Sequence, residues 1–101
     1  MAKYHISQAA LEDLESIWLY TFKKWSKEQA AKYHKEIVEE IKTISKSDKD
    51  YGIKYFDVMD GLYCSRCRKH LVFYRYDENE DVEIIRILHN MMDIESKFHT
   101  S

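Results

Sequence analysis

The stretch Val82 to Ile94, VEIIRILHNMMDI, constrains this chain more than any other. Val82, Ile84, Ile85, Ile87 and Leu88 crowd into its first half, and most of them are β-branched. A strand with one wet face alternates apolar and polar residues, whereas here apolar residues sit on both parities. The run therefore predicts a central strand over Val82–Leu88, covered on both faces. It stops abruptly at His89, Asn90, Met91, Met92 and Asp93, which are poorly suited to continuing a strand. A rigid strand ending this way carries such a cluster to the end of a sheet, where it can recognise a partner. The plainer role for the same histidine and methionines is to close the margin of the core.

A central strand needs neighbours, and the segment before it supplies them. Leu62–Cys67 and Leu71–Tyr76 read as strands joined tightly at Arg68-Lys69. An acidic turn, Asp77 to Asp81, leads into the third strand, and Asp60-Gly61 reads as the turn before the first. Short connections of this kind imply an antiparallel meander. Lys3–Ile6 reads as a brief additional strand, and 94–98 as a single helical turn.

Between them the period changes to that of helices. Ser7 is a candidate N-cap, with Glu12 and Asp13 placed early, where the helix dipole favours acids. Ala10, Leu11, Leu14, Ile17, Trp18, Thr21, Phe22 and Trp25 then recur at helical spacing. Ser26 to Gln29 fits a capping box that opens a second helix, with Ala30, Tyr33, Ile37, Ile41 and Ile44 on one face. The two helices form an antiparallel hairpin, and Trp18, Phe22 and Trp25 are expected to pack with Tyr33 and Ile37 in the core. Residues 45–50 form a polar loop, Gly52 is expected to supply a turn conformation, and 53–59 reads as irregular or weakly extended. The fold class is thus α+β: a short N-terminal strand and an antiparallel helical hairpin packed on an antiparallel β-meander.

At 101 residues the chain is expected to be one domain, 1–101. No apolar run is long enough for a membrane helix, and the N-terminus lacks the apolar segment of a secretory signal. With two cysteines, this points to a reducing cytoplasm. A formal net charge of −2 argues against direct nucleic-acid binding.

Few residues offer chemistry. Cys64-x-x-Cys67 followed by His70 would need a fourth ligand such as His5, His34, His89 or His99 to hold zinc. Within a strand, though, residues three apart point to opposite faces, so no metal site or disulfide is expected. Arg66, Arg68, Lys69 and Arg75 form a basic stretch, and Arg66, Arg75 and Arg86 on adjacent strands could converge on one face to hold phosphate or carboxylates. His89 is the candidate general acid or base. No cofactor motif is present.

Several segments together resemble the ParE toxins of the ParE/RelE superfamily. They are Ser7-x-x-Ala10-x-x-Asp13-Leu14-x-x-Ile17-Trp18-x-Tyr20, then Trp25-Ser26 with Gln29-Ala30, and Gly52, Asp57-Val58 and Gly61-Leu62. Arg66 and His70 to Arg75 follow. Ile84 to His89 with Met92-Asp93-Ile94 is similar to the family's closing signature. The resemblance implies helices on one side of the sheet and the toxin role in a type II toxin–antitoxin pair. It implies inhibition of DNA gyrase by binding, without catalysis, and neutralisation by a ParD-type antitoxin in a hetero-oligomer. It also implies a target surface on Arg66, Arg86, His89, Met91, Met92 and Asp93, because the family's C-terminal part is implicated in toxicity. The antitoxin is expected on apolar surface between hairpin and sheet, as a helix in a groove or an added strand. The alternatives are a RelE-like ribosome-dependent mRNA endonuclease, or an inactive toxin that still binds antitoxin. The chain departs from the family at Ile53 and Lys54, where proline and arginine are usual. It departs again at Tyr63 and Cys64, where arginine is common, and at Arg68, where glycine usually makes the turn.

Overall fold

Ser7 joins the two halves of the chain. Its backbone N–H donates to Ile84 (3.0 Å) and its hydroxyl to the Ile85 carbonyl (2.8 Å), while the same hydroxyl accepts from the Ala10 N–H (3.0 Å). It thus ends a strand and caps a helix at once. In the computed structural model, which describes residues 3–98, the order is β1 (Tyr4–Ile6), α1 (Gln8–Lys24), α2 (Lys27–Lys46), β2 (Ile53–Lys54), β3 (Tyr63–Cys67), β4 (His70–Tyr76), β5 (Val82–His89) and α3 (Ile94–Phe98). The strands make one sheet in the order β1-β5-β4-β3-β2. The meander β3-β4-β5 is antiparallel as expected, and β1 adds to β5 in parallel, Tyr4 opposite Val82. Among the described residues, no helix is long and apolar enough to cross a membrane.

The mixed parity of β5 has a structural cause. Phe73 faces Arg86 while the next residue, Tyr74, faces Ile84, so Ile85 is one residue too many. This bulge flips the phase of the strand. Val82, Ile84 and Ile87 therefore share one face with Val72 and Tyr74, against Ala10, Leu14, Ile37, Ile41 and Ile44 of the helices. Leu88 and Ile85 join Phe73, Cys64 and Leu62 on the other, covered by Tyr55, Val58 and Met59 and by Ile94 and Phe98 of α3.

Three expectations need correction. The first concerns α1, which buries Ala10, Leu14 and Thr21, with Ile17 packed alongside. Phe22 and Trp25 are exposed, and Trp18 is half-buried and stacked on Phe22, ring centroids 5.2 Å apart. The helix's rotation is set by Asp13, whose carboxylate grips β5: Oδ2 accepts from Arg86 Nε (2.8 Å) and the Ile87 N–H (2.9 Å), and Oδ1 from Arg86 Nη2 (2.9 Å). At 3.6 residues per turn, Phe22 lies about half a turn round from Asp13 and so faces away from the strand. The second correction follows from the same contact. Asp13 is not in the first turn to meet the helix dipole, and reaches instead the part of β5 beyond its pairing with β1. The third concerns Gly52, whose φ is not positive, in contrast to Gly61 at 72°. Gly52 is needed because a side chain there would meet the ring of Tyr74.

At the two-residue β3–β4 turn Arg68 takes φ 56°, the conformation that usually favours glycine. Its guanidinium forks onto Glu36 of α2, with Nη2 2.8 Å from Oε2. The ion pair ties the turn to α2 at the surface.

Candidate functional site

His70 and His89 open β4 and close β5 and are register partners, so the meander sets them side by side at one end of the sheet. Their rings meet edge to face at 5.3 Å. Tyr33 of α2 covers the pair: its hydroxyl lies on His70 Nδ1 and 3.4 Å from the Cys67 carbonyl. One arrangement of protons serves both contacts, with His70 Nδ1–H donating to the tyrosine oxygen and the tyrosine O–H donating to Cys67. Burial, reinforced by the neighbouring His89 and opposed by Asp13, pushes the His70 pKa down to about 4, and burial raises that of Tyr33. At neutral pH His70 is therefore uncharged.

That shift carries a pH dependence. The folded pKa of His70 lies below the ordinary value of 6.5, so the unfolded chain binds the proton first. The stability owed to neutral His70 is complete above about pH 6.5 and is lost as pH falls from there through about 4. His70→Gln, which cannot titrate, is expected to lose less melting temperature between pH 7 and pH 5 than the wild type. Parallel curves for the two proteins would show that another group governs the acid limb.

Above the histidines is an open cavity of about 480 Å³, a size ordinary for small-molecule sites. The last turn of α1 supplies Tyr20, Lys24 and Trp25; α2 supplies Lys32 and Glu36; the β3–β4 turn supplies Arg68 and Lys69. The turn is pinned to β5 by the Asn90 N–H, which donates to the Lys69 carbonyl at 2.8 Å. Trp25 is the C-cap of α1 and is 69% exposed at the cavity's rim. Lys24 lies over the Tyr20 ring, 5.4 Å from its centroid, and donates to its hydroxyl at 3.1 Å.

The sequence-derived site residues do not form one face. Arg86 is committed to Asp13, Arg75 to Glu83 (3.1 Å) and Arg68 to Glu36, so the expected convergence of Arg66, Arg75 and Arg86 does not occur. Arg66 is exposed and donates through Nε to the Arg68 carbonyl at 2.9 Å. His89 accepts from the Met91 N–H at 3.1 Å. Met91 and Met92 protrude beyond β5, Met91 83% exposed. Asp93 accepts from the Ser96 N–H and hydroxyl, closing the turn of α3. Cys64 and Cys67 lie on opposite faces of the sheet as free thiols. Burial pushes the Cys64 pKa up to about 12 and also raises Cys67, the opposite of what a thiolate ligand or redox pair requires. His99 lies outside the described residues.

Sequence reasoning missed the cationic cavity. Lys24, Lys32 and Tyr20 lie on the helices, far along the chain from Arg68-Lys69, and only their proximity in three dimensions unites them. His70 was detectable in principle, because a two-residue turn at Arg68-Lys69 and a hairpin through 77–81 place it opposite His89.

Residues 4–94 match the model of a family described as the ParE toxin of the type II toxin–antitoxin system parDE. Toxin ParE1 of Caulobacter vibrioides is 36% identical over 92% of this chain and 94% of its own length. Toxin ParE1 of Mycobacterium tuberculosis is 28% identical over 93% and 95% respectively. Two solved structures share the fold at 20% identity. One, from the chromosomal ParDE system of P. aeruginosa, has a TM-score of 0.77 and covers 88% of this chain and 96% of its own. The other, from the toxin–antitoxin complex RelBE2 of Mycobacterium tuberculosis, has a TM-score of 0.61 and covers 87% and 96%.

Proposed function

The chain belongs to the ParE toxin family of type II toxin–antitoxin systems, and from that premise we propose that it inhibits DNA gyrase by binding it, and that a ParD-type antitoxin neutralises it in the cytoplasm. The observation that carries the reading is the family match itself, which extends through the end of β5 to residue 94. There the end of β5, still paired with β4 as far as His89, projects Met91 and Met92 into solvent. Exposed methionines on a rigid support suit protein recognition, because their flexible, polarisable side chains adapt to a partner's surface. His89 and Asp93 adjoin them along the chain, and Arg66, two strands away on β3, is included in the proposed target surface as an exposed cation. Arg86 contributes by holding β5 against α1.

The antitoxin has a separate surface to cover. Leu11, Trp18 and Leu19 of α1 with His34 of α2 line a shallow, mainly apolar groove on the helical hairpin. An amphipathic antitoxin helix seated there would remove this surface from water. The nuclease reading finds less support from the arginines, since Arg68, Arg75 and Arg86 are each paired with a carboxylate, which leaves only Arg66 and the lysines beside His89 for a scissile phosphate.

The test is a supercoiling and cleavage assay with purified gyrase. Cleaved DNA is expected to accumulate with added protein and to recede when the antitoxin is added. Met91→Ala with Met92→Ala is expected to weaken inhibition by about tenfold or more, as loss of a central apolar anchor does, while the far-UV spectrum stays unchanged. Unaltered gyrase at large excess of protein would overturn the proposal. Cleavage of mRNA on translating ribosomes, lost in His89→Ala, would replace it with the nuclease reading.

A further inference from the structure

The cavity above His70 and His89 is charged in a way the whole chain is not. Its lining holds four cationic side chains, Lys24, Lys32, Arg68 and Lys69, against one carboxylate, Glu36. Arg68 and Glu36 neutralise each other, which leaves three positive charges in a protein of formal charge −2. Among the described residues, no carboxylate is in ion-pair contact with any of the three lysines. Like charges gathered around a concave surface repel one another, and an anion seated among them removes that repulsion.

The chemistry of the lining selects among anions. Carboxylates are held best by the fork of an arginine, and the only arginine here has its fork on Glu36. Lysine binds phosphate as a point charge, with no fork required. Beside the lysines are two exposed aromatic rings, Trp25 at the rim and Tyr20 beneath Lys24, and the neutral His70–Tyr33 pair forms the floor. Flat rings next to lysines provide a stacking surface for a base within reach of charge for its phosphate. We infer that this cavity binds a nucleoside phosphate, with the base stacked on Trp25 and the phosphate held by Lys24, Lys32 and Lys69. The ligand's source is either a free nucleotide or the phosphorylated end of a strand. The site shares His89 with the proposed target surface, but its test alters neither His89 nor the two methionines, so its outcome is independent of gyrase inhibition.

The chain has two tryptophans, so Trp18→Phe leaves Trp25 as the sole reporter. The fluorescence of that protein is followed as AMP, ATP, adenosine and inorganic phosphate are added at low salt. Saturable quenching by AMP and ATP is expected, at least about tenfold tighter than by adenosine, as neutralising even one or two phosphate charges should produce. Lys32→Glu with Lys69→Glu is expected to abolish the tighter binding. Because that variant reverses two charges and could fail to fold, calorimetry of Trp25→Leu gives a second readout, and the exposed Trp25 can be replaced without disturbing the core. A loss of ATP affinity there supports the stacking. An oligonucleotide compared with and without its 5′-phosphate separates the two sources. Tighter binding than AMP, dependent on the phosphate, identifies a strand end, and weaker binding identifies the free nucleotide. Equal affinity for adenosine and AMP, undiminished binding by the folded lysine variant, or tighter binding of hexaglutamate than of ATP would overturn the inference, the last in favour of an acidic protein segment.

Discussion

Replacing Asp13 with alanine is expected to destabilise the protein by about 2–4 kcal/mol, a large share of the roughly 5–15 kcal/mol typical of a domain this size. The carboxylate satisfies three donors at once, two on Arg86 and the Ile87 N–H. With side-chain exposures of 14% for Asp13 and 26% for Arg86, the pair is mostly out of water. Alanine strands the guanidinium and leaves a strand amide without an acceptor, each of which carries a desolvation cost. The part of Arg86 that reaches solvent keeps the loss below that of a fully buried pair. In a thermal melt the shift should be roughly 10–20 °C at the usual scaling for small domains. Asp13→Asn, which keeps an acceptor for Ile87 but loses the charge, should fall between. Arg86→Met should cost less than Asp13→Ala, because the remaining carboxylate still accepts from Ile87. If Asp13→Ala melts within a degree or two of the wild type, the contact does not set the seating of α1 on the sheet.

Gly52→Ala should cost about 1–3 kcal/mol, the range that overpacking typically produces. An added Cβ would collide with Tyr74 Oη and lie 2.9 Å from its Cζ and 3.2 Å from the Cys64 carbonyl oxygen. Tyr74 is fully buried in the helix-side core and has no room to retreat. Its hydroxyl also lacks a hydrogen-bond partner among the described residues. Tyr74→Phe alone should therefore be neutral or slightly stabilising, since it removes a buried polar group that gains nothing. In the double variant the worst contact disappears but the ring carbon remains close. The combined loss should be smaller than the sum of the two, with a coupling of about 0.5–3 kcal/mol in denaturant unfolding, and should not vanish. Strict additivity would place the cost of alanine in the backbone of Gly52.

Local pattern disclosed the elements whose periods are unambiguous. The two helices, the three meander strands and the terminal helical turn emerge close to where the spacing predicts them. What escaped depends on contacts between distant residues. The apolar arc of α1 runs from Ile17, Ala10 and Leu14 round to Trp18, Leu11 and Phe22, and nothing within the helix says which edge of it meets the sheet. Asp13 decides it, through an arginine far along the chain. A three-residue strand such as β1 likewise carries no mark of its partner, and its parallel pairing with β5 came only from the structure. For the candidate site, the methionines at 91 and 92 were legible because they follow a strand too apolar to lie anywhere but inside. The lysine-lined cavity was not, because net charge averages over a surface on which the acidic residues lie elsewhere, in ion pairs and in the 77–81 turn.

The pairing of β1 with β5 also bears on how the chain reaches this structure. Tyr4 must find Val82, and the loop between them contains most of the protein. Closing so long a loop is entropically unfavourable before any contact offsets it, and folds rich in such distant pairings form slowly. Ser7 and Asp13 take their acceptor and donors from the same last strand. As the chain emerges during synthesis, its first strand thus waits for β5 before it has its native partner, and its first helix, though it can already meet α2, waits for β5 to be seated on the sheet. A shortened chain that stopped before Val82 would lack the inner strand to which both are fastened. Folding is expected to be a single late event tied to completion of β5, with only the helical hairpin and the β3–β4 hairpin able to form beforehand.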